Sequence, residues 1–402
     1  MRLTVFRHRD FALFSAVRIA DGLAQQMQTV AVGWLVYDVT HSALALGLVG
    51  LAGFLPAFTL ALVTGHVADR FDRRLIVAAC HLLSAAAAGG LLALAWSGGT
   101  AAAPIYGVVV LSGIAHAFAG PASQALVPSL VPRGEFAQAV AWNSSFWQGS
   151  AIAGPALGGL FYILGPAVVF ASAGLLFVLA SGLAALIPSR SVEIRCEPIS
   201  RSSLLAGITF IRSRPVILGA VSLDLFAVLL GGATALLPIF AQEVLLVGVS
   251  GLGIMRSMPA LGAATMALWL AYQPLTRNAG LRLFAAVAVF GLATISFGLS
   301  TNFAFSLLCL FVLGAADMVS VVVRQTLVQM ETPDPMRGRV AAVNTVFIGA
   351  SNELGEFESG VLAALVGAVP AVVLGGVGTL AVAFLWARLF PALRTRDRLI
   401  EA

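Results

Sequence analysis

The chain has 402 residues, of which 59% are hydrophobic and only 10% are charged. Soluble domains carry roughly 25% charged residues, so this composition excludes an ordinary soluble protein and predicts an exterior that mostly faces lipid. The formal net charge is +5, but there is no Lys and the arginines form short clusters between apolar segments, which argues against a nucleic-acid partner. Cys80, Cys196 and Cys309 lack metal-ligand spacing, so neither a metal site nor a cofactor is expected.

Apolar segments long enough to cross a membrane recur along the whole chain. A membrane-crossing helix needs about 20 largely apolar residues. The predicted spans are 11–37, 42–67, 74–96, 103–128, 137–163, 166–188, 215–241, 250–272, 281–300, 303–329, 339–366 and 370–390. The sequence therefore predicts an all-α membrane protein with twelve transmembrane helices.

Residues 189–214, between the sixth and seventh spans, are too rich in arginine to form a further span. Their second half places Leu204, Ile208 and Ile211 on one face of a helix. An amphipathic helix with arginines on its polar side is typical of a segment that lies in the membrane interface. We therefore expect a linker that contains a short interfacial helix.

The arginine clusters fall in alternate loops between the predicted spans. They lie at the amino terminus, at 70–74, at 133, in the linker, at 277 and 282, at 337–339 and at 388–398. Arginines concentrate in the cytoplasmic loops of membrane proteins. The pattern therefore predicts that both termini and the linker are cytoplasmic, in a multi-pass protein of the inner (plasma) membrane.

The two halves of the chain resemble each other. An offset of 201 positions lays Ser123–Val127 on Arg324–Val328 without a gap. The same register lays Pro132 on Pro333, Asn143 on Asn344, Phe146 on Phe347, Gly154 on Gly355 and Gly159 on Gly360. This predicts two six-helix pseudo-repeats, 1–188 and 215–402, joined by the linker 189–214. Transporters built from two such repeats bind substrate between them, near the bilayer midplane.

Three motifs resemble those of one superfamily of transporters. The loop between the second and third spans reads Gly65-His66-Val67-Ala68-Asp69-Arg70-Phe71-Asp72-Arg73-Arg74. This loop is similar to the signature of the major facilitator superfamily. The fifth span contains Gly149 and the run Gly154-Pro155-Ala156-Leu157-Gly158-Gly159, which is similar to the motif of that superfamily's antiporters. The tail of the tenth span, from Arg324-Gln325 through Pro333 to Arg337-Gly338-Arg339, resembles the branch of enterobactin exporters and macrolide efflux pumps.

In that superfamily the loop joins the two halves as a latch when the cytoplasmic side is closed. The resemblance assigns this role to Gly65, Asp69, Arg70, Arg73 and Arg74, with the start of the eleventh span near Gly338 and Arg339 as the partner. Asp72 replaces the usual glycine of the motif. We therefore expect a less tight turn and a different pairing of Arg73.

The resemblance also implies that part of the fifth span forms the antiporter motif. The residues concerned are Gly149, Gly154, Pro155, Gly158 and Gly159. Small residues also let helices approach closely, and a proline kinks a helix, so a purely packing role is the alternative.

Polar residues within the spans identify the candidate substrate cavity. Spans 1, 4, 7 and 10 line this cavity in the superfamily, and their polar residues here are Arg18, Asp21, Gln25, Asp224, Asp317 and Arg324. A charge inside the membrane is costly, so each one needs a partner or water. Arg18 and Asp21 are three residues apart and are expected to pair. Asp317 and Arg324 lie about 10 Å apart along their helix and need partners on other helices, and we expect Asp21 and Asp224 to face each other across the cavity.

The eleventh span contains three carboxylates, Glu353, Glu356 and Glu358. Acids crowded in an apolar helix repel one another when ionised, so at least one is expected to bind and release a proton near neutral pH. A structural role and direct contact with a cationic substrate are the alternatives. The predicted proton-coupling residues are Glu353, Glu356, Asp317 and Asp21.

These features predict a secondary active transporter that exports an amphipathic small molecule, such as a siderophore or drug, in exchange for protons by alternating access. We expect it to act as a monomer. A proton-coupled importer of the same fold is the alternative, because architecture does not decide direction. A membrane-embedded enzyme is disfavoured because the sequence has no HExxH, GxSxG or paired-Cys motif. The lack of a GxxxxGK[ST] loop excludes an ATP-driven pump.

Overall fold

The computed structural model describes residues 3–98, 101–188, 201–273, 275 and 278–396. Residues 189–200 of the predicted linker, including Cys196, lie outside the described residues, as does Arg277. All regular structure within the described part of the chain is helical.

Six long helices form the first part of the described chain. They are α1 (Arg9–Thr40), α2 (Ala43–Arg70), α3 (Arg73–Trp96), α4 (Ala102–Leu130), α5 (Phe136–Tyr162) and α6 (Pro166–Ala185). Two short 3₁₀ helices, Leu3–Arg7 and Arg133–Glu135, precede α1 and α5.

A second set of helices follows the linker. It comprises α7 (Arg201–Ser213), α8 (Pro215–Leu230), α9 (Leu237–Ile239), α10 (Gly248–Tyr272), α11 (Ala279–Gly298), α12 (Phe303–Glu331), α13 (Asp334–Val366), α14 (Ala368–Leu389) and α15 (Pro391–Arg394). Each predicted span overlaps a long helix of the described chain, so the predicted all-α class with twelve long helices is confirmed. The cytoplasmic location of the termini stays a prediction.

The seventh predicted span, 215–241, is broken and not continuous. After α8 the chain forms a 3₁₀ turn (Ala233–Leu236), then α9, then a π-helical turn (Phe240–Val244). At the break, a Cβ added to Gly232 would lie 2.6 Å from the carbonyl oxygen of Gly355 on α13. The missing side chain lets the backbone pass close to α13. Hydropathy alone predicts an uninterrupted span because it contains no information on this contact.

Nine helical segments among the described residues are long and apolar enough to cross a membrane, and one of them, Pro215–Val244, contains α8 with the turns that follow it. The other three long helices, α1, α5 and α13, have 32, 27 and 33 residues but are more polar. Their polar residues include Arg18 and Asp21 in α1, Asn143 in α5 and Glu353 in α13. Candidate site residues therefore lie both on these more polar helices and on the apolar helices α8 and α12, which carry Asp224, Asp317 and Arg324.

The linker helix predicted within 189–214 is observed as α7. Its Ile208 and Ile211 pack in one cluster with Ile217 of α8 and Val340 of α13. Protein therefore covers part of the apolar face, and the location of this helix in the membrane interface stays a prediction.

The chain forms two compact units. The first consists of Met1–His41, Ala52–Pro198 and Gly248–Ser257, and the second of Ser42–Leu51, Ile199–Val247 and Met258–Ala402. The start of α10 therefore belongs to the first unit, and the start of α2 to the second. The division into halves at 1–188 and 215–402 stays a prediction.

Two glycines of α5 set its close approach to α1 in the first unit. A Cβ added to Gly158 would lie 2.9 Å from Cα of Met27. A Cβ added to Gly154 would lie 2.5 Å from Cβ of Gln26. Neither contact leaves room for a methyl group, so the two helices pack backbone to backbone here.

The other glycines of the fifth span differ in their surroundings. Gly159 faces the start of α10, where an added Cβ would lie 2.6 Å from the carbonyl oxygen of Val249. Nothing lies within 4 Å of a Cβ added to Gly149. The run from Gly154 to Gly159 therefore serves close helix packing, and its antiporter role stays a prediction.

We expect Gly158→Ala and Gly149→Ala to change thermal stability in opposite directions. The first forces α5 away from Met27, and overpacking of this kind costs roughly 1–3 kcal/mol. The second replaces a helical glycine in open space, where alanine is favoured by about 1 kcal/mol. Thermal unfolding of the purified variants in detergent measures both effects, and equal stabilities would contradict the close α1–α5 contact.

Candidate functional site

Four polar side chains of the first unit form a cluster around α1. Oδ2 of Asp21 lies 3.6 Å from a guanidinium nitrogen of Arg18, and Oδ1 of Asp21 lies 3.4 Å from Nδ1 of His81 on α3. Nε of Arg18 donates a hydrogen bond to Oδ1 of Asn143 on α5, at 3.0 Å. We call Arg18, Asp21, His81 and Asn143 the α1 charge cluster.

The α1 charge cluster is only partly closed to its surroundings. Asp21 and His81 are buried, whereas 19% of the Arg18 side chain is exposed. The guanidinium carbon of Arg18 lies 5.7 Å from the ring centre of Trp147, within the range of a cation–π contact. The pair that the spacing of Arg18 and Asp21 predicts is therefore present, with His81 as a second basic group beside the carboxylate.

Two amides on α1 have unsatisfied acceptors. The side-chain oxygens of Gln25 and Gln28 are buried and have no hydrogen-bond partner among the described residues. Nε2 of Gln28 donates to Oγ of Ser112 on α4, at 3.3 Å. A buried acceptor without a partner is costly, so such groups point to water or a ligand.

A second cluster lies in the second unit, between α8, α12 and α13. Nη2 of Arg324 on α12 lies 3.2 Å from Oδ2 of Asp224 on α8, and Arg324 is 2% exposed. Nη1 of Arg324 donates to Oδ1 of Asn344 on α13, at 3.0 Å. Oγ of Ser320 donates to the other oxygen of Asp224, at 3.3 Å. We call Asp224, Arg324, Asn344 and Ser320, together with Asp317, the α12 charge cluster.

Asp317 adds a second carboxylate to the α12 charge cluster. It lines a cavity of about 10 Å³ together with Asp224, Ser320, Ala286 and Ala316. This volume is close to the space that one water molecule needs. Asp317 and Arg324 lie on the same helix, and each was expected to have a partner on another helix. Both lie near Asp224 on α8, as expected.

The two clusters have the same plan. Each contains an aspartate of the first helix of its half, Asp21 on α1 or Asp224 on α8. In each, an arginine pairs with this aspartate and donates to an asparagine, Asn143 or Asn344. The structure therefore joins five of the six predicted cavity residues into two groups of contacts, while Gln25 lies one turn beyond Asp21 on α1.

Sequence reasoning missed four members of these clusters. His81 has no sequence pattern that marks it, since its partner Asp21 lies on another helix. Ser320 is one polar residue among many. Asn143 and Asn344 carried a signal, because the repeat register superimposes them, but that register alone does not reveal their hydrogen bonds to arginine.

The carboxylates of α13 lie in a different setting. Glu353, Glu356 and Glu358 are all half-buried. Glu356 lies against the start of α2, where a Cβ added to Gly50 would lie 3.0 Å from Oε2 of Glu356. The absent side chain of Gly50 makes room for this carboxylate.

The signature loop forms a tight turn in spite of Asp72. Only Phe71 and Asp72 separate α2 from α3, and the expectation that this turn is less tight than in the superfamily stays a prediction. Asp72 has φ −61°, which any residue adopts, and its carboxylate caps α3 by accepting from the backbone N–H of Arg74 at 3.1 Å. The capping bond compensates for the lack of glycine.

The two arginines after Asp72 bind different groups. Arg74 Nε lies 3.0 Å from Oδ2 of Asp72, and its Nη1 donates to the carbonyl oxygen of Ile187 at 2.8 Å. Arg73 donates to the carbonyl oxygens of Ala68 and Ala125. Both arginines thus satisfy carbonyls near the ends of helices. The side chain of Asp69, and residue Gly338, lie outside what the structure describes, so the latch stays a prediction.

The sequence matches one family model over nearly its whole length. The family is described as "transmembrane secretion effector", and residues 2–399 are matched. The chain belongs to this family, which is part of the major facilitator superfamily. The resemblance to the major facilitator superfamily is therefore confirmed, and the protein is a multi-pass membrane transporter and not an enzyme.

Two curated relatives of this transmembrane secretion effector are exporters by name. The enterobactin exporter EntS of Citrobacter koseri is 26% identical over 395 residues, which cover 96% of this chain and 93% of the relative. The multidrug efflux pump Tap of Mycobacterium tuberculosis is 33% identical over 156 residues, which cover only 37% of this chain and 36% of the relative. The first match confirms the resemblance to the enterobactin-exporter branch.

Solved structures confirm the fold. A bacterial homologue of the human lysosomal transporter Spinster has a TM-score of 0.78 at 14% identity, with 96% of this chain and 98% of that chain covered. A bacterial homologue of the iron transporter ferroportin has a TM-score of 0.71 at 15% identity, with 98% of this chain and 100% of that chain covered.

We expect Arg324→Met to destabilise the transmembrane secretion effector far more than Arg18→Met. Removing Arg324 leaves the buried Asp224 without its cation, and breaking a buried pair costs about 3–5 kcal/mol. The Arg18–Asp21 pair is longer and partly exposed, and His81 remains beside Asp21. The measurement is the unfolding midpoint in detergent.

The double variant Arg324→Met with Asp224→Leu is the control for this prediction. It removes both charges, so it should recover most of the lost stability. Equal losses for the double and the single variant would show that Asp224 is not the main partner of Arg324.

Proposed function

We propose that this transmembrane secretion effector is a proton-coupled antiporter that exports an amphipathic small molecule by alternating access. The observation that carries the proposal is the position of Asp317 beside the Asp224–Arg324 pair. One arginine balances one carboxylate. The α12 charge cluster is therefore neutral with a proton on Asp317 and negatively charged without it.

Such a cluster couples protonation to access. A net charge in closed, apolar surroundings is costly, whereas water stabilises it. When the substrate cavity closes, the neutral α12 charge cluster is favoured. When the substrate cavity opens to water, the negatively charged cluster becomes tolerable. Uptake and release of a proton by Asp317 can thus accompany the change of access.

Three further acids are candidates for carrying protons. Glu353 and Glu356 lie on α13, and Glu356 is held against the start of α2. Asp21 lies between Arg18 and His81, so a proton at His81 changes the charge of that cluster. We rank Asp317 first because its cluster has two carboxylates and one arginine.

The proposed substrate-binding residues are the polar groups that the sequence analysis assigns to the cavity. They are Arg18, Asp21, Gln25, Asp224, Asp317 and Arg324. The unsatisfied oxygen of Gln25 and the exposed part of Arg18 supply an acceptor and a donor. The names of the relatives, an enterobactin exporter and a multidrug efflux pump, support a siderophore or drug as substrate.

The proposed setting is the inner (plasma) membrane, with the chain acting as a monomer and both termini in the cytoplasm. The arginine distribution supports this orientation. The glycine-rich run of α5 and the loop from Gly65 to Arg74 are proposed as the antiporter motif and the latch.

Transport by purified protein in liposomes tests the proposal. Antiport predicts that an acidic lumen drives uptake of enterobactin or of a lipophilic cationic dye, with protons leaving the liposome. A proton-coupled importer needs an acidic outside instead. Uptake that follows only the second gradient would replace the antiporter by an importer.

We expect Asp317→Asn to abolish gradient-driven uptake, because the amide cannot exchange a proton. Substrate exchange without a pH gradient should persist. Glu331→Gln is the matched control, since Glu331 lies at the end of α12 and pairs with Arg396. If Asp317→Asn keeps its coupling while Glu353→Gln or Glu356→Gln loses it, the proton carrier lies on α13.

We further expect Arg324→Lys to weaken substrate binding by about tenfold or more, since each lost contact of ~1.4 kcal/mol reduces affinity tenfold. The guanidinium reaches Asp224 and Asn344 with separate nitrogens, which one ammonium cannot do. Titration of thermal stability with a transported substrate measures the affinity. Unchanged affinity would make Arg324 a counter-ion to Asp224 alone.

A further inference from the structure

A large groove lies in the second unit, between α10, α11 and α12. Its volume is about 700 Å³, within the range of sites that hold drug-sized molecules, roughly 300–1,000 Å³. Neither charge cluster contributes a charged side chain to it. The groove is therefore a separate site from the one proposed for substrate.

Small side chains create the groove. Ala285 and Ala286 of α11 and Ala315 and Ala316 of α12 line it. Larger apolar residues form the rest of the lining, including Met266, Trp269, Val289, Phe311, Val312 and Val319. The groove thus offers an apolar surface, and the small side chains of the four alanines leave space for a ligand.

The groove opens to the outside of the unit. Trp269 is 50% exposed and Val289 is 42% exposed. Ala285, on the same helix as Val289, is also exposed. In a membrane, exposed apolar residues on these helices face lipid, so the surrounding bilayer has direct access to the groove.

Polar groups line one end of the groove. Arg282 is exposed near the start of α11, and Gln273 lies just after the end of α10. Among the described residues, no carboxylate contributes to the lining and the Arg282 side chain forms no ion pair. Arginine and tryptophan at a helix end are typical of the boundary between membrane and water.

We propose that this groove binds one anionic phospholipid of the surrounding bilayer. The phosphate lies at Arg282 and Gln273, and an acyl chain lies along the four alanines. Charge complementarity favours an anionic headgroup, because the charge that the described lining residues carry is the positive charge of Arg282. Basic pockets between transmembrane helices bind anionic headgroups in this manner.

The lipid would also contact two residues that lie beside the α12 charge cluster. Ala286 and Ala316 line both the groove and the small cavity of Asp317. These two alanines therefore form part of the wall between the groove and the cavity of Asp317. An occupied groove therefore supports the wall against which Asp317 lies.

Thermal unfolding of the delipidated full chain in mild detergent tests the proposal. We expect added phosphatidylglycerol to raise the unfolding midpoint by several degrees. Phosphatidylcholine should raise it less, and soluble glycerol 3-phosphate should not raise it. A shift caused by glycerol 3-phosphate alone would indicate a free-phosphate site and overturn the proposal, as would equal shifts with both lipids.

Two variants and two matched controls locate the effect. Arg282→Gln removes the cation, and Ala285→Trp fills the groove from an exposed position. Both should lose most of the response to phosphatidylglycerol. Arg394→Gln removes an exposed arginine elsewhere, and Leu281→Trp adds bulk to an exposed residue of α11 outside the lining; both should keep the response.

The midpoint of each variant without lipid shows whether it is folded. Native mass spectrometry counts the lipids that remain bound after mild delipidation. One retained phosphatidylglycerol in the wild-type chain, absent in Arg282→Gln and in Ala285→Trp, supports the site. Equal retention of phosphatidylglycerol by the wild-type chain, the two variants and the two controls would overturn the proposal.

Discussion

Each charge that this chain places within the membrane must be balanced by protein, because lipid supplies neither water nor counter-ions. Arg324 meets this constraint with Asp224 and Asn344, and Arg18 meets it with Asp21 and Asn143. These contacts join helices that are distant in sequence. The same constraint explains why α1, α5 and α13 are polar: they supply the partners.

Close helix packing brings these partners within reach. Gly154 of α5 faces Gln26 of α1, and Gly355 of α13 faces α8, where an added Cβ would lie 2.9 Å from the carbonyl oxygen of Leu229. The repeat register superimposes the two glycines, as it does the two asparagines. In each unit a glycine lets the fifth helix of a half touch the first, and an asparagine of that fifth helix then reaches an arginine.

Periodic and local features could be predicted from the sequence, and contacts between helices could not. Hydropathy predicted twelve long helices, and spacing predicted the Arg18–Asp21 pair. The break after α8 lies where Gly232 meets α13, and His81 reaches Asp21 because α1 and α3 both pack against α6. Each miss depends on residues that meet only in the folded chain.

The arginines of the two clusters occupy different helices, which affects how sequences of this kind are compared. In the repeat register Arg324 lies on Ser123, and no arginine lies at the position of Arg18 in the second half. An alignment of the halves would therefore score both arginines as unmatched, although each makes the same contacts. The asparagines that accept from the arginines are in register, whereas the aspartates that neutralise them are two positions out of register on the first helix of each half. A search for such a cluster in other chains should therefore specify the asparagine and the aspartate. It should allow the arginine to come from any helix that packs against them.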